Sequence, residues 1–256
     1  MLVSLIVFIL ALNNRNALSK GVFNIRGDGV SKVYLTGDIH GLLDIERVLK
    51  INFLDEDDYL IILGDFGLLW NGNFKEKSAL EKLNKMRFTT LFLDGNHENF
   101  DMINAYPTEV WSGGKVHKIK DKVIHLMRGE VFLINNKKYF TFGGGTSIDK
   151  ENRKEHVDWW KEEMPSEEEI ENGRKNLHTH NYNVDYVLTH TTDVDNLSFI
   201  GEEMNFSPEA DKCNIFLSEI KKKLTYDKWY FGHFHVDGNI NNKDRVVYKD
   251  IIEIGQ

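Results

Sequence analysis

The chain has 256 residues, 41% hydrophobic and 12% aromatic, enough to enclose a full core in one α/β or β-sandwich domain. Its formal charge of −8 argues against a broad basic surface that grips long nucleic acid. A small phosphorylated ligand stays open, because bound cations would reverse the field locally. The single cysteine, Cys213, excludes an intramolecular disulfide framework and reads as a buried small hydrophobe, so a cytoplasmic location is expected.

Residues 1–12 read MLVSLIVFILAL, uncharged and apolar, followed by Asn13, Asn14 and Arg15. This run is shorter than the about 20 residues of a spanning helix and lacks the basic start of a signal peptide. It admits three readings: an export or anchoring segment, an element packed on the core, or a translated upstream extension. Membrane contact is expected only if residues 1–12 are an anchor. Residues 1–30 are therefore set apart as an extension, and 31–256 are expected to form one domain.

In chain order, Lys32 to Thr36 reads as a buried strand, and Leu42 to Lys50 follows with helical spacing of Leu43, Val48 and Leu49. Tyr59 to Leu63 is a second strand. Lys75 to Arg87 is an amphipathic helix with Leu80, Leu83 and Met86 on one face, and Thr89 to Leu93 is a third strand. This β-α-β-α-β order predicts a parallel sheet. Val123 to Met127, Val131 to Ile134 and Lys138 to Phe142 then read as a short antiparallel meander. The acidic segment 149–183 follows, a candidate helical lid in which Ser166 and Glu169 form a capping box. Asp185 to Thr189, Lys228 to Phe231 and Arg245 to Ile252 complete the strand candidates.

Five of the apolar runs close on residues that bind metal: VYLTGDIHG, LIILGDFG, LFLDGNHEN, YVLTH and WYFGHFH. Their ends supply Asp38, His40, Asp65, Asn96, His97, His190, His233 and His235. In open α/β sheets ligands gather at the carboxyl ends of strands, so these side chains are expected to meet in one place. A mixed set of carboxylate, amide and imidazole donors suits Mn, Fe, Zn or a similar ion better than calcium. Seven donors (Asp38, His40, Asp65, Asn96, His190, His233 and His235) are too many for one tetrahedral zinc and suit two ions, roughly 3.5–4 Å apart, that share a carboxylate.

The ordered blocks GDIHG, GD, GNHE, a lone histidine after a strand, and GHFH resemble those of the calcineurin-like metallophosphoesterases, across about Lys32 to Val236. The resemblance implies two mixed β-sheets packed as a sandwich flanked by helices. It implies one metal on Asp38, His40, Asp65 and His235, and a second on Asp65, Asn96, His190 and His233, with Asp65 bridging. His97 would stabilise the phosphate or protonate the leaving oxygen. The implied reaction is hydrolysis of a phosphomonoester or phosphodiester by a metal-bridging hydroxide. The substrate would be a phosphorylated small molecule or a nucleotide. Manganese is the expected ion, with Fe, Zn, Ni or Mg as alternatives.

The second block departs from the serine/threonine protein phosphatases, where GD-x-V-D-R-G supplies a phosphate-binding arginine and an aspartate that orients the catalytic histidine. Here it reads GDFGLLW, which resembles bacterial members of the family, as does the WW-x-x-E-M-P-S stretch. This disfavours a phosphoprotein phosphatase, and the full donor set disfavours a non-catalytic scaffold. Arg128 and Arg153 are the substitute candidates for gripping phosphate, with Arg153 preferred as a substrate-binding residue beside Asn96 and His97. The remaining histidines (His117, His125, His156, His178 and His180) read as structural or surface residues. Trp159 and Trp160 read as packing, and Lys221 to Lys223 as a solvated helix end.

Overall fold

The computed structural model describes residues 31–255. The apolar stretch 1–12 and the rest of 1–30 lie outside the described residues.

Three strands, β1 (Val33–Thr36), β2 (Tyr59–Ile62) and β3 (Thr89–Phe92), pair in parallel. The crossovers carry α1 (Ile45–Leu49) and α2 (Phe74–Asn84). After the short α3 (Phe100–Ile103) come β4 (Thr108–Trp111), β5 (Gly114–Lys120) and β6 (Val123–Leu126). β6 extends the sheet in parallel beside β3, and β5 and β4 follow antiparallel. The second sheet begins with the hairpin β7 (Glu130–Ile134) and β8 (Lys137–Phe142). It continues in parallel through β9 (Tyr186–Thr189), β10 (Lys228–Phe231) and β12 (Asp244–Val246), with the two-residue β11 (Gly238–Asn239) at the edge. The last strand, β13 (Ile252–Ile254), returns antiparallel to β1.

The period-2 geometry of strands divides each apolar run between two cores. Val33, Leu35, Ile61, Leu63, Leu91 and Leu93 point between the sheets, where they meet Phe132, Tyr139, Tyr186, Leu188 and Tyr230. The alternate residues Tyr34, Leu60, Ile62 and Phe92 face outward onto α1 and α2, among Ile45, Val48, Leu80 and Leu83. The outer face of the second sheet is covered by α4 (Glu167–Thr179), α5 (Val194–Met204) and α6 (Lys212–Lys221), through Ile170, Leu177, Ile200, Phe216 and Leu217. Burial on both faces is why these strands read as unbroken apolar runs. The molecule is a two-sheet sandwich flanked by helices. No helix among the described residues is long and apolar enough to cross a membrane.

Parallel register aligns the strand ends. Thr36 pairs with Ile62 and Ile62 with Phe92 in the first sheet, while Phe142 and Phe231 both pair with Thr189 in the second. Two rows of carboxyl ends therefore lie side by side. Bonds from His190 Nδ1 to Leu63 O and from Gly144 N to Asp94 O join them.

Several sequence expectations need correction. The meander over Val123 to Phe142 is split: β6 belongs to the first sheet, and β7 and β8 form a hairpin in the second. The antiparallel run is β4-β5-β6 instead; β5 escaped notice because lysines interrupt its apolar pattern, and β4 because TEVW is short and largely exposed. Arg245 to Ile252 is likewise two strands in different sheets. Asp237 breaks it by accepting bonds from the amides of Tyr248, Lys249 and Asp250. The helix expected from Leu42 starts as a 3-10 turn at Gly41–Leu43 and becomes α1 only at Ile45. In segment 149–183, α4 begins at the expected Ser166–Glu169 capping box and packs on the second sheet, whereas residues before it lie over the strand ends.

Candidate metal centre

All eight residues at the run ends stand in the loops that leave β1, β2, β3, β9 and β10. These loops turn sharply. His40, Asp65, His233 and His235 all take positive φ (43°, 50°, 70° and 54°), a region costly to non-glycine residues unless the surroundings enforce it. The preceding glycines allow the close approach. A Cβ on Gly95 would sit 2.1 Å from Asp65 Oδ1, and one on Gly232 would sit 2.4 Å from Asp38 Oδ1. The glycine in these blocks therefore makes room for a carboxylate from a neighbouring loop.

Asp65 occupies the middle. Its Oδ2 is 3.2 Å from His40 Nε2, and its Oδ1 is 3.3 Å from His190 Nε2. Donor atoms of Asp38, His40, Asp65 and His235 all lie within 4.8 Å of one another. On the other side, His190 Nε2 is 3.1 Å from Asn96 Oδ1 and 3.2 Å from His233 Nδ1. Asp65 Oδ1 also accepts the His97 amide at 2.8 Å, and Asp38 Oδ1 accepts the His233 amide at 3.1 Å.

The electrostatics follow from this crowding. Burial would raise the Asp65 carboxyl, but His190, His40 and His97 outweigh it and hold the group well below the usual carboxylate range. Burial would lower His40, yet its bond to Asp65 and the charges of Asp65 and Asp38 raise it. His233 is pushed down to about 4 by burial and by His190. Burial and the neighbouring Arg153 guanidinium lower His97 despite the Asp65 charge.

Two features fit this donor set to a cation. His190 Nδ1 lies 2.7 Å from the Leu63 carbonyl, which only accepts, so Nδ1 carries the ring hydrogen. The lone pair of Nε2 then faces the Asn96 and Asp65 oxygens. Asp38 Oδ2 is buried with no hydrogen bond among the described residues, and His235 Nε2 lies 3.2 Å away. An unbonded carboxylate oxygen and an imidazole lone pair turned to other oxygens suit a bound cation, and a backbone carbonyl behind a ligand histidine is a common second support. Where divalent ions bind, Asp38, His40, Asp65, Asn96, His190, His233 and His235 are the residues that would hold them.

The two arginine candidates have different fates. Arg128 does not reach the centre. Its side chain is 2% exposed and its Nε donates to Asp94 Oδ2 at 2.7 Å, with Nη2 bonding Glu162 O at 2.8 Å. It is a buried structural pair, because an unpaired guanidinium inside the fold would be prohibitively desolvated. Arg153 lies at the centre, with Nη1 3.2 Å from His97 Nδ1. It also donates to Asp158 O, and its Nε and Nη2 engage the Asp149 carboxylate.

Sequence reasoning missed three supports. Glu98 is fully buried and accepts the Phe66 and Gly67 amides at 2.6 and 3.1 Å, which holds the turn after Asp65. Burial and the nearby Asp65 charge raise its carboxyl well above the ordinary value despite those two bonds. Ser147 Oγ accepts from Asn96 Nδ2 at 3.2 Å, which leaves Oδ1 turned to His190. Glu163 in turn accepts the Ser147 amide. The position of Glu98 beside His97 in GNHE and that of Glu163 in the WW-x-x-E-M-P-S stretch could have drawn attention, whereas for Ser147 the chain carries no signal. Of the remaining histidines, His117 and His125 are buried and bond each other, whereas His156 is exposed on Asp101. Trp160 is buried, with its Nε1 on Asp101. Lys221 is no solvated helix end: it bridges Asp193 and Asp244.

No curated protein matches this sequence at a significant level. Among solved structures the chain is similar to the phosphopantetheinyl hydrolase from Mycobacterium tuberculosis, with 13% identity and a TM-score of 0.46. That alignment covers 86% of this chain and 90% of the other. The family model for calcineurin-like phosphoesterases matches residues 31–237, the stretch that contains every donor of the centre, and the chain belongs to that family of metal-dependent phosphoesterases.

Proposed function

We propose that this phosphoesterase works with two divalent cations that share Asp65, one on Asp38, His40 and His235 and the other on Asn96, His190 and His233. The reading rests on Asp65, whose two oxygens face His40 on one side and His190 on the other. When bound, such a pair of ions polarises a phosphoryl group and lowers the pKa of a water molecule. Manganese is the ion we assign, and the substrate is a phosphomonoester or phosphodiester of a small molecule or nucleotide.

The chain's own contribution is positioning and charge. Arg153 has no acceptor atom, so its approach to His97 makes Nδ1 the accepting nitrogen and leaves the neutral ring's hydrogen on Nε2. With its pKa lowered, His97 stands as a neutral donor to a phosphoryl or leaving oxygen. Arg153 thereby fills, by a different route, the orienting place of the aspartate that GDFGLLW lacks. Four of its five N–H groups are engaged, which leaves one on Nη2 for a phosphate oxygen.

Purified protein should hydrolyse p-nitrophenyl phosphate or its bis ester only with added Mn²⁺, and mass spectrometry of the loaded protein should count two ions per chain. Asp65→Asn should lose turnover while keeping its melting temperature within about 5 °C. One ion per chain would end the dinuclear reading, and full activity in Asp65→Asn would end the site assignment. His97→Ala should keep its metal and lose about 100-fold in turnover, the usual size of such a contribution.

A further inference from the structure

A groove of about 370 Å³ opens from the candidate metal centre, and His40 and His97 form its inner end. Most of its exposed lining is apolar, with Asn71, Asn73 and Glu76 along one side. Leu42 and Leu43 stand in the Gly41–Leu43 turn at 41% and 83% exposed, and Trp70 faces them from the loop after β2. Solvated leucines beside a polar centre cost hydration free energy unless something covers them in use.

The opposite wall is rigid. Glu76 is buried on α2, and its carboxylate accepts the amides of Trp70, Asn71 and Gly72 and the Asn73 side chain. Trp70 also packs edge-on against Trp160, with ring centroids 5.3 Å apart. The loop is therefore held open. Among the described residues no lysine or arginine lines the groove, and the one carboxylate that does is already bonded to the loop. A second phosphate or a polyanionic chain finds no cationic partner there, and the Asn71 and Asn73 amides are turned to Glu76.

We infer that this groove takes the non-phosphate half of the substrate, and that this half is uncharged and apolar or aromatic. The inference rests on the proposed function, because it places the phosphoryl group at the inner end beside His97. It deepens that reading by selecting apolar organic esters over polyphosphates and nucleic-acid chains. Leu43 is the specificity-determining contact, since it has the most surface to lose.

Isothermal titration of the Mn²⁺-loaded protein with 1-naphthyl phosphonate and methyl phosphonate tests this without turnover. The naphthyl compound should bind about tenfold more tightly, in line with burial of an apolar side-chain equivalent. Leu43→Ser, an exposed change that the fold tolerates, should erase most of that gap and leave methyl phosphonate unaffected. Equal binding of the two compounds, or a gap unchanged in Leu43→Ser, overturns the groove assignment alone. Binding of neither compound overturns the phosphate site of the proposed function, and this inference with it.

Discussion

Replacing Arg128 by alanine separates a structural arginine from a substrate-binding one. The guanidinium is 2% exposed and bonds Asp94, which is itself buried and accepts from His125 as well. Burial alone would raise the Asp94 carboxyl, but Arg128 and His125 hold it far below the usual range, so it is charged at any working pH. Removing the arginine strands that charge inside the fold, and breaking a buried pair in this way costs about 3–5 kcal/mol. For a domain of this size each kcal/mol moves the melting temperature by roughly 2–4 °C, so a fall of about 10–15 °C is expected. The assay is thermal unfolding by circular dichroism, paired with KM for p-nitrophenyl phosphate measured well below the transition. KM should stay within about threefold, because Arg128 has no path to the substrate. A melting temperature that barely moves, together with a large rise in KM, would refute the structural assignment and restore Arg128 as a phosphate ligand.

Ser147→Ala removes the acceptor that fixes the Asn96 amide. Outer supports of this kind typically contribute 10–100-fold to metal affinity, so the second equivalent of Mn²⁺ should bind at least about tenfold more weakly in a calorimetric titration. The first equivalent should be unchanged, and equal loss of both would show a general collapse instead. His117 tests pH dependence. Burial and the neighbouring His125 push it down to about 4, so between pH 6.5 and 4 the unfolded chain binds a proton that the folded chain refuses. Stability from this group is complete above pH 6.5 and declines as the pH falls toward 4. Urea unfolding of the metal-free protein should lose about 2 kcal/mol through His117 between pH 7.5 and 5. His117→Phe should show a correspondingly smaller loss, and identical pH slopes in the two proteins would contradict the assignment.

The candidate donors were legible as a set because they follow a local rule that the chain repeats. Each stands one to four residues beyond an apolar strand, all but His190 in a block that carries a glycine, and such blocks carry their meaning in a few consecutive residues. The strands of the parallel core were legible for a related reason: burial on both faces demands unbroken apolar runs such as YLII and WYF. What joined the blocks into one centre is not local. His190 meets Leu63 across 127 positions, and His233 meets Asp38 across 195, because two sheets align their carboxyl ends on one side. Sheet membership was also decided by tertiary pairing. The apolar pattern of β6, β7 and β8 is the same in either sheet, and only the strand each one lies beside distinguishes them. Arg128 and Arg153 look alike in the chain, yet one is enclosed with Asp94 and the other rests on His97. A charged side chain's role depends on which partners surround it and how far water is excluded. The folded arrangement determines both, and neighbouring residues in the chain do not encode either.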